Sequence, residues 1–217
     1  AIAALLLAVP SPMSAADSKP GTQTAQELKI KVGDKETTID YWLFLPKSYN
    51  QKKSWPLMLF LHGAGERGSN LNQVKKWGPP KRVGEKKDFP FVVISPQCPK
   101  NKRWTPSQLH SLVEHIASSY QIDRARLYCT GLSMGGYGTW AMIAKYPKLF
   151  AAVIPICGGG DPDTAKRITG IPIWAFHGEA DRVVPPTRSS SMIEAIKKAG
   201  GTKAKLTIYL GVNHNSW

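Results

Sequence analysis

Cysteine is scarce: Cys98, Cys129 and Cys157 are the only three in 217 residues. That excludes a miniprotein built on disulfides, and the odd count leaves at least one thiol free even in an oxidising compartment. The wide spacings, with no accompanying His cluster, point away from a zinc site. Each Cys sits in or just after an apolar run, so buried, inert thiols are expected. No apolar run approaches the ~18–20 residues of a helical membrane span. No internal repeat is present. Acidic side chains are also few, 15 Asp and Glu against 29 Lys and Arg, which leaves a net charge of +14. Such a surface favours anionic partners. The 42% hydrophobic and 20% charged content excludes a disordered or collagen-like chain. The length suits one domain with a sizeable core.

The first residues, Ala1 to Val9, are almost all apolar, and Ser14-Ala15-Ala16 before Asp17 is a small-residue cleavage signature. This is the pattern of a partial secretory signal peptide, without its initiator Met and basic segment. Pro10 and Pro12 would break a buried strand or helix there. The expected organisation is a partial signal peptide over 1–16, a flexible polar leader over 17–27 and a single domain over 28–217. The expected location is secreted or periplasmic.

Leu28–Val32 and Thr38–Leu45 flank Gly33-Asp34-Lys35-Glu36, which reads as an antiparallel hairpin. Six short apolar runs follow: 57–61, 91–94, 126–130, 151–156, 171–176 and 205–210. Runs of this kind, bounded by turns, suit parallel strands buried on both faces. Helical spacing lies between them, at Leu109, Leu112, Val113, Ile116 and Tyr120 after Thr105-Pro106-Ser107, around Trp140 and Ile143, and from Met192 to Ala199 before Gly200-Gly201. The expectation is an α/β fold: a mostly parallel central sheet with an N-terminal antiparallel hairpin and helices on both faces. Ligands of such sheets sit beyond the carboxyl ends of the strands.

Chemistry is concentrated at those ends. Gly131-Leu132-Ser133-Met134-Gly135 is G-x-S-x-G between a strand and a helix, the turn that lifts a nucleophilic serine above a sheet. A serine at its ordinary pKa needs a positioned base. His110 and His115 fall in a helix, His62 belongs to a glycine-rich turn, and His177 ends a strand. His214, just after the last strand, is the preferred base. The acid that would hold its tautomer is Asp181, with Glu179 the nearest rival and Asp161 and Asp163 lesser ones. The order Ser133, Asp181, His214 is that of the α/β-hydrolase triad. Backbone N–H groups of Ala64 (Gly63 as the alternative) and Met134 are the candidate oxyanion donors, each worth about 3–4 kcal/mol of barrier. The loop His62-Gly63-Ala64-Gly65-Glu66-Arg67-Gly68 lacks the Gly-Lys-Ser/Thr ending of a phosphate-binding P-loop.

Leu61 to Gly68, Ser95-Pro96-Gln97-Cys98-Pro99, Gly131 to Gly136, Phe176-His177-Gly178 through to Asp181, and the terminal His-Asn-Ser-Trp together resemble the α/β-hydrolase superfamily. More narrowly, they resemble bacterial secreted esterases of the feruloyl esterase and polyhydroxybutyrate depolymerase type. These are similar in turn to prolyl-oligopeptidase catalytic domains and dienelactone hydrolases. The resemblance covers about residues 28–217 and implies a serine carboxylesterase that needs no cofactor and no metal. The chain stops three residues after His214, where the fold normally continues into a helix covering one sheet face. An apolar patch is therefore expected beside Ile173, Ala175, Leu206 and Ile208.

The short connection Cys157–Gly170 leaves no room for a cap domain, which suits small esters or esters carried on a polymer. Residues 71–105 hold nine Lys or Arg against Glu85 and Asp88, interleaved with Trp77 and Trp104 as candidate substrate contacts. This is either a solvated basic face or a rim attracting anionic substrates. Two other functions compete with the esterase: a serine peptidase using the same triad, and a non-catalytic anion-binding protein on a hydrolase scaffold. Export and the intact triad argue against a nucleic-acid partner.

Overall fold

The computed structural model describes residues 18–32 and 35–217. The signal-peptide reading of 1–16 and the turn residues Gly33 and Asp34 lie outside them. Strands β1 (Gln23–Val32) and β2 (Lys35–Phe44) pair antiparallel from Gln23↔Phe44 to Val32↔Lys35. The pair is longer than the apolar pattern indicated. Residues 23–27, expected in a loose leader, are strand, and so are Lys35 and Glu36, expected in the turn. At this edge of the sheet one face is solvated, so polar residues alternate along the strand without disrupting it.

Six further strands follow: β3 (Trp55–Leu61), β4 (Val92–Pro96), β5 (Ile122–Leu132), β6 (Ala152–Ile156), β7 (Ile173–Gly178) and β8 (Ala204–Tyr209). All eight form one sheet in the order β1-β2-β4-β3-β5-β6-β7-β8, with β4 through β8 parallel. The six apolar runs of the sequence became these six strands. Helices α2 (Pro106–Ser119), α3 (Met134–Lys145) and α4 (Thr187–Lys198) cover one face. There Leu57, Leu59, Ile94, Leu112, Ile116, Ile143, Ile173, Ala175 and Ile196 form the main core. Helix α1 (Gly78–Glu85) lies on the other face, where Val83 packs with Phe44 and Val93. The sequence reading missed α1, because Gly78-Pro79-Pro80 reads as a turn; the prolines sit in its first turn, where no N–H is needed.

The expected apolar patch is on the opposite face from the one named. Ile173 and Ala175 are buried beneath α4, whereas Ile154, Trp174 and Tyr209 are exposed. Trp174 stacks on Phe176, and Phe176 on Tyr209, along this exposed side of β6–β8. Side chains alternate across a strand, so a reading that assigned the wrong parity to β7 inverted the whole set. No helix among the described residues is long and apolar enough to cross a membrane.

Candidate active site

Ser133 sits where β5 passes into α3, with φ +53° and ψ −115°, a backbone region that non-glycine residues rarely adopt. The turn is tight because β5 and α3 nearly touch. A Cβ at Gly135 would overlap the Leu61 carbonyl at the end of β3, so no other residue fits. The Ser133 N–H donates to Ile156 O at 2.9 Å, which ties the turn to β6.

His214 arrives from the far edge of the sheet, after β8. The backbone at residues 212–213 crosses directly over Gly178, where any side chain would collide with the Val212 and Asn213 carbonyls. Ala180 N–H donates to Val212 O at 2.9 Å, and Glu179 Oε2 accepts the Gly211 N–H at 3.0 Å. These bonds place His214 Nε2 2.9 Å from Ser133 Oγ and His214 Nδ1 2.7 Å from Asp181 Oδ2. Asp181 is buried, and its Oδ1 accepts the N–H groups of Val183 and Val184, both at 2.9 Å. Burial alone would raise its pKa. The hydrogen bonds from His214, Val184 and Val183 outweigh that and hold the carboxyl below its ordinary value.

Ala64 and Met134 line the same cavity as Ser133. Gly63 is extended, and a Cβ there would press on Leu132. Arg67 holds the loop by donating from Nε to Ala64 O and from Nη1 to Lys102 O, at 3.0 and 3.2 Å.

The chain is similar to several known proteins. The prolyl oligopeptidase family model matches residues 98–174, a stretch that includes Ser133 but ends before Asp181 and His214. Over 51 residues, 24% of this chain and 12% of that protein, the chain is 41% identical to a poly(3-hydroxyalkanoate) depolymerase C of Paucimonas lemoignei. It is 26% identical over 140 residues to a bifunctional acetylxylan esterase/xylanase of Neocallimastix patriciarum, covering 59% of this chain and 20% of that one. The solved structure of a thermostable esterase superposes with a TM-score of 0.75 at 36% identity, over 89% of this chain and 58% of that one. The chain has the α/β-hydrolase fold. It spans 12–58% of the lengths of these three relatives.

In this fold the rival acids have other partners. Glu179 accepts the Gly211 N–H and, among the described residues, makes no hydrogen bond to the imidazole, while Asp161 Oδ1 caps the turn at Asp163. His110 stacks on Tyr146, away from the strand ends. Trp104 lines the cavity and donates from Nε1 to His62 O at 3.2 Å. Trp77 lies farther out, edge-on to Trp217, which is in turn edge-on to His214. Much of the basic segment is engaged with its surroundings: Lys75 lies over Trp42, Lys76 and Lys81 lie near Trp77, and Arg82 pairs with Glu85.

Two supporting residues escaped the sequence reading. His177 is fully buried behind Asp181, with Nε2 3.1 Å from Asp181 Oδ2 and 2.8 Å from Val184 O. Cys157, free and buried as expected of all three cysteines, is more than filler. Its thiol donates to His214 O at 3.1 Å and lies 2.7 Å from Ser216 Oγ, which fastens the histidine loop to the end of β6. A cysteine directly after a strand and before Gly158-Gly159-Gly160 was the available signal. Cys157, Asp181 and His214 offer ligand atoms within 4.8 Å of one another, as a metal site would, but both imidazole nitrogens already face Ser133 and Asp181.

His62 titrates with folding. Burial pushes its ring down to about 4, against the opposing contact with Gly63 O, and Arg67 adds to the lowering. Its Nε2 accepts the Cys98 N–H at 2.9 Å, a bond that protonation would destroy. Between pH 6.5 and 4 the unfolded chain binds a proton at this position that the folded chain refuses. Stability is therefore full above about pH 6.5 and falls as pH drops towards 4, by about 3 kcal/mol in all. Urea unfolding at pH 7 and pH 4.5 should show the loss, and His62→Gln, which does not titrate, should lack most of the slope. Equal slopes in both proteins would refute it.

Proposed function

We propose that the chain is a secreted or periplasmic serine carboxylesterase working through an acyl-enzyme. The carrying observation is the unbroken relay from Ser133 Oγ through His214 to Asp181. In this reading His214 Nε2 takes the proton of Ser133 as Oγ bonds to the ester carbonyl carbon. The oxyanion forms against the N–H groups of Ala64 and Met134. Asp181 stabilises the imidazolium, which then protonates the departing alkoxide. Water, activated by the same imidazole, cleaves the acyl-enzyme and releases the acid. The relatives named above as esterases, and the absence of room for a cap in the Cys157–Gly170 connection, support esters over peptides. Export rests on the pattern of residues 1–16 alone.

Fluorophosphonate labelling with peptide mapping, beside panels of p-nitrophenyl esters and peptide anilides, tests the proposal. Label on Ser133 with turnover of esters and not anilides is the expected result. Turnover confined to anilides would favour the peptidase reading, and no label with no turnover would favour an anion-binding scaffold.

A further inference from the structure

Ser133 opens into a cavity of about 960 Å³, lined also by Ala64 and Met134 but not by His214. The base that protonates the leaving oxygen stands on the alcohol side of an ester. A cavity containing the nucleophile and the oxyanion donors without the base is therefore on the acyl side. Its charge is one-sided: Arg67, Arg103, Lys145, Arg167 and Arg188 line it against the single carboxylate of Asp161. These cations come from the oxyanion loop, the stretch before α2, the end of α3, the turn at 162–167 and the start of α4. Among the described residues, none of the five lies within ion-pair distance of a carboxylate.

The wall beneath the cations is apolar, with Trp104, Tyr137 and Ala141. Trp140 also lines it, is 1% exposed, and has an indole N–H with no acceptor among the described residues. Gathering like charges around an apolar slot costs Coulomb energy that a short neutral acyl group would do nothing to offset. A ligand with a carbon chain and a terminal anion would use both features.

We infer that this cavity takes the acyl part of a dicarboxylic acid monoester, one carboxyl esterified and presented to Ser133, the other free and held by the arginines. The inference rests on the esterase reading and adds the substrate class. The alcohol leaves with the proton delivered by His214, and water releases the free dicarboxylate, so no co-reactant is required.

The test compares p-nitrophenyl hexanoate with mono-p-nitrophenyl adipate, which share a six-carbon acyl chain and differ in the terminal charge. At low ionic strength kcat/KM should favour the adipate ester by about tenfold or more, the scale of one retained charge-assisted hydrogen bond. The ratio should fall towards one in the double variant Arg103→Ala/Arg188→Ala, and should narrow with added salt in the wild type. A wild-type ratio at or below one, or a ratio the double variant leaves unmoved, overturns the inference. Hexanoate turnover that is lost in Ser133→Ala tests the esterase reading separately. If neither ester is hydrolysed, that reading fails, and calorimetry with free adipate decides the site: binding lost in the double variant supports it, and no binding to the wild type overturns it.

Discussion

Ser133→Ala should lower kcat on p-nitrophenyl acetate by about a million-fold, the scale measured when one member of a serine triad is removed, and should abolish fluorophosphonate labelling. Among the described residues His214 Nε2 has this hydroxyl as its one hydrogen-bond partner, so in the proposed mechanism no neighbouring nucleophile inherits the proton transfer. The substitution should scarcely change stability, because among the described residues the half-buried hydroxyl makes no bond besides that to the imidazole. A companion variant separates function from fold. Ser133 holds φ +53°, and glycine adopts positive φ without the clash a Cβ makes. Ser133→Gly should therefore be equally inactive yet more stable, by about 1 kcal/mol. Stopped assays and thermal melts on both variants check this. Full activity in either would remove Ser133 from the mechanism, and a glycine variant that melts well below wild type would remove the strain argument.

Asp181→Asn should lower kcat by about ten-thousand-fold while the protein stays folded, the loss seen when a triad aspartate becomes asparagine. The backbone dictates which way the new amide faces. Oδ1 accepts two N–H groups, from Val183 and Val184, so the asparagine oxygen must remain there. Its NH₂ group then points at His214 Nδ1, which must become an acceptor. The ring proton moves to Nε2, and the nitrogen facing Ser133 can no longer accept a proton. Glu179→Gln is the control: its side-chain oxygen can still accept the Gly211 N–H, so the loop carrying His214 should stay in place and activity should change little. Severe loss in Glu179→Gln with a mild effect in Asp181→Asn would assign the acid to Glu179. The carboxyl also contributes to stability. Its pKa is held below the ordinary value, so its contribution is complete above the unfolded pKa and is lost as pH falls through the folded one. Asp181→Asn should accordingly flatten the acid end of the stability curve.

By itself the sequence determined the features that depend on neighbours along the chain. The apolar runs at 57–61 and 91–94 became β3 and β4, because a strand buried on both faces needs a continuous apolar stretch. Gly131 to Gly135 declared the elbow, because only glycine clears the backbone where β5 turns into α3. What lies far apart in the chain was decided by the sheet. Ser133, Asp181 and His214 meet only because β5, β6, β7 and β8 stack in register and bring their carboxyl ends to one edge. Asp181 rather than Glu179 faces the imidazole because the turn after β7 directs the N–H groups of Val183 and Val184 at one carboxylate and leaves the other to Gly211. The parity of β7, and with it the exposure of Trp174 in place of Ile173, followed from where α4 packed. The cations around the cavity at Ser133 came together in the same way. Arg67, Lys145 and Arg188 have no common motif, and long-range packing, to which local pattern is blind, set them around one opening.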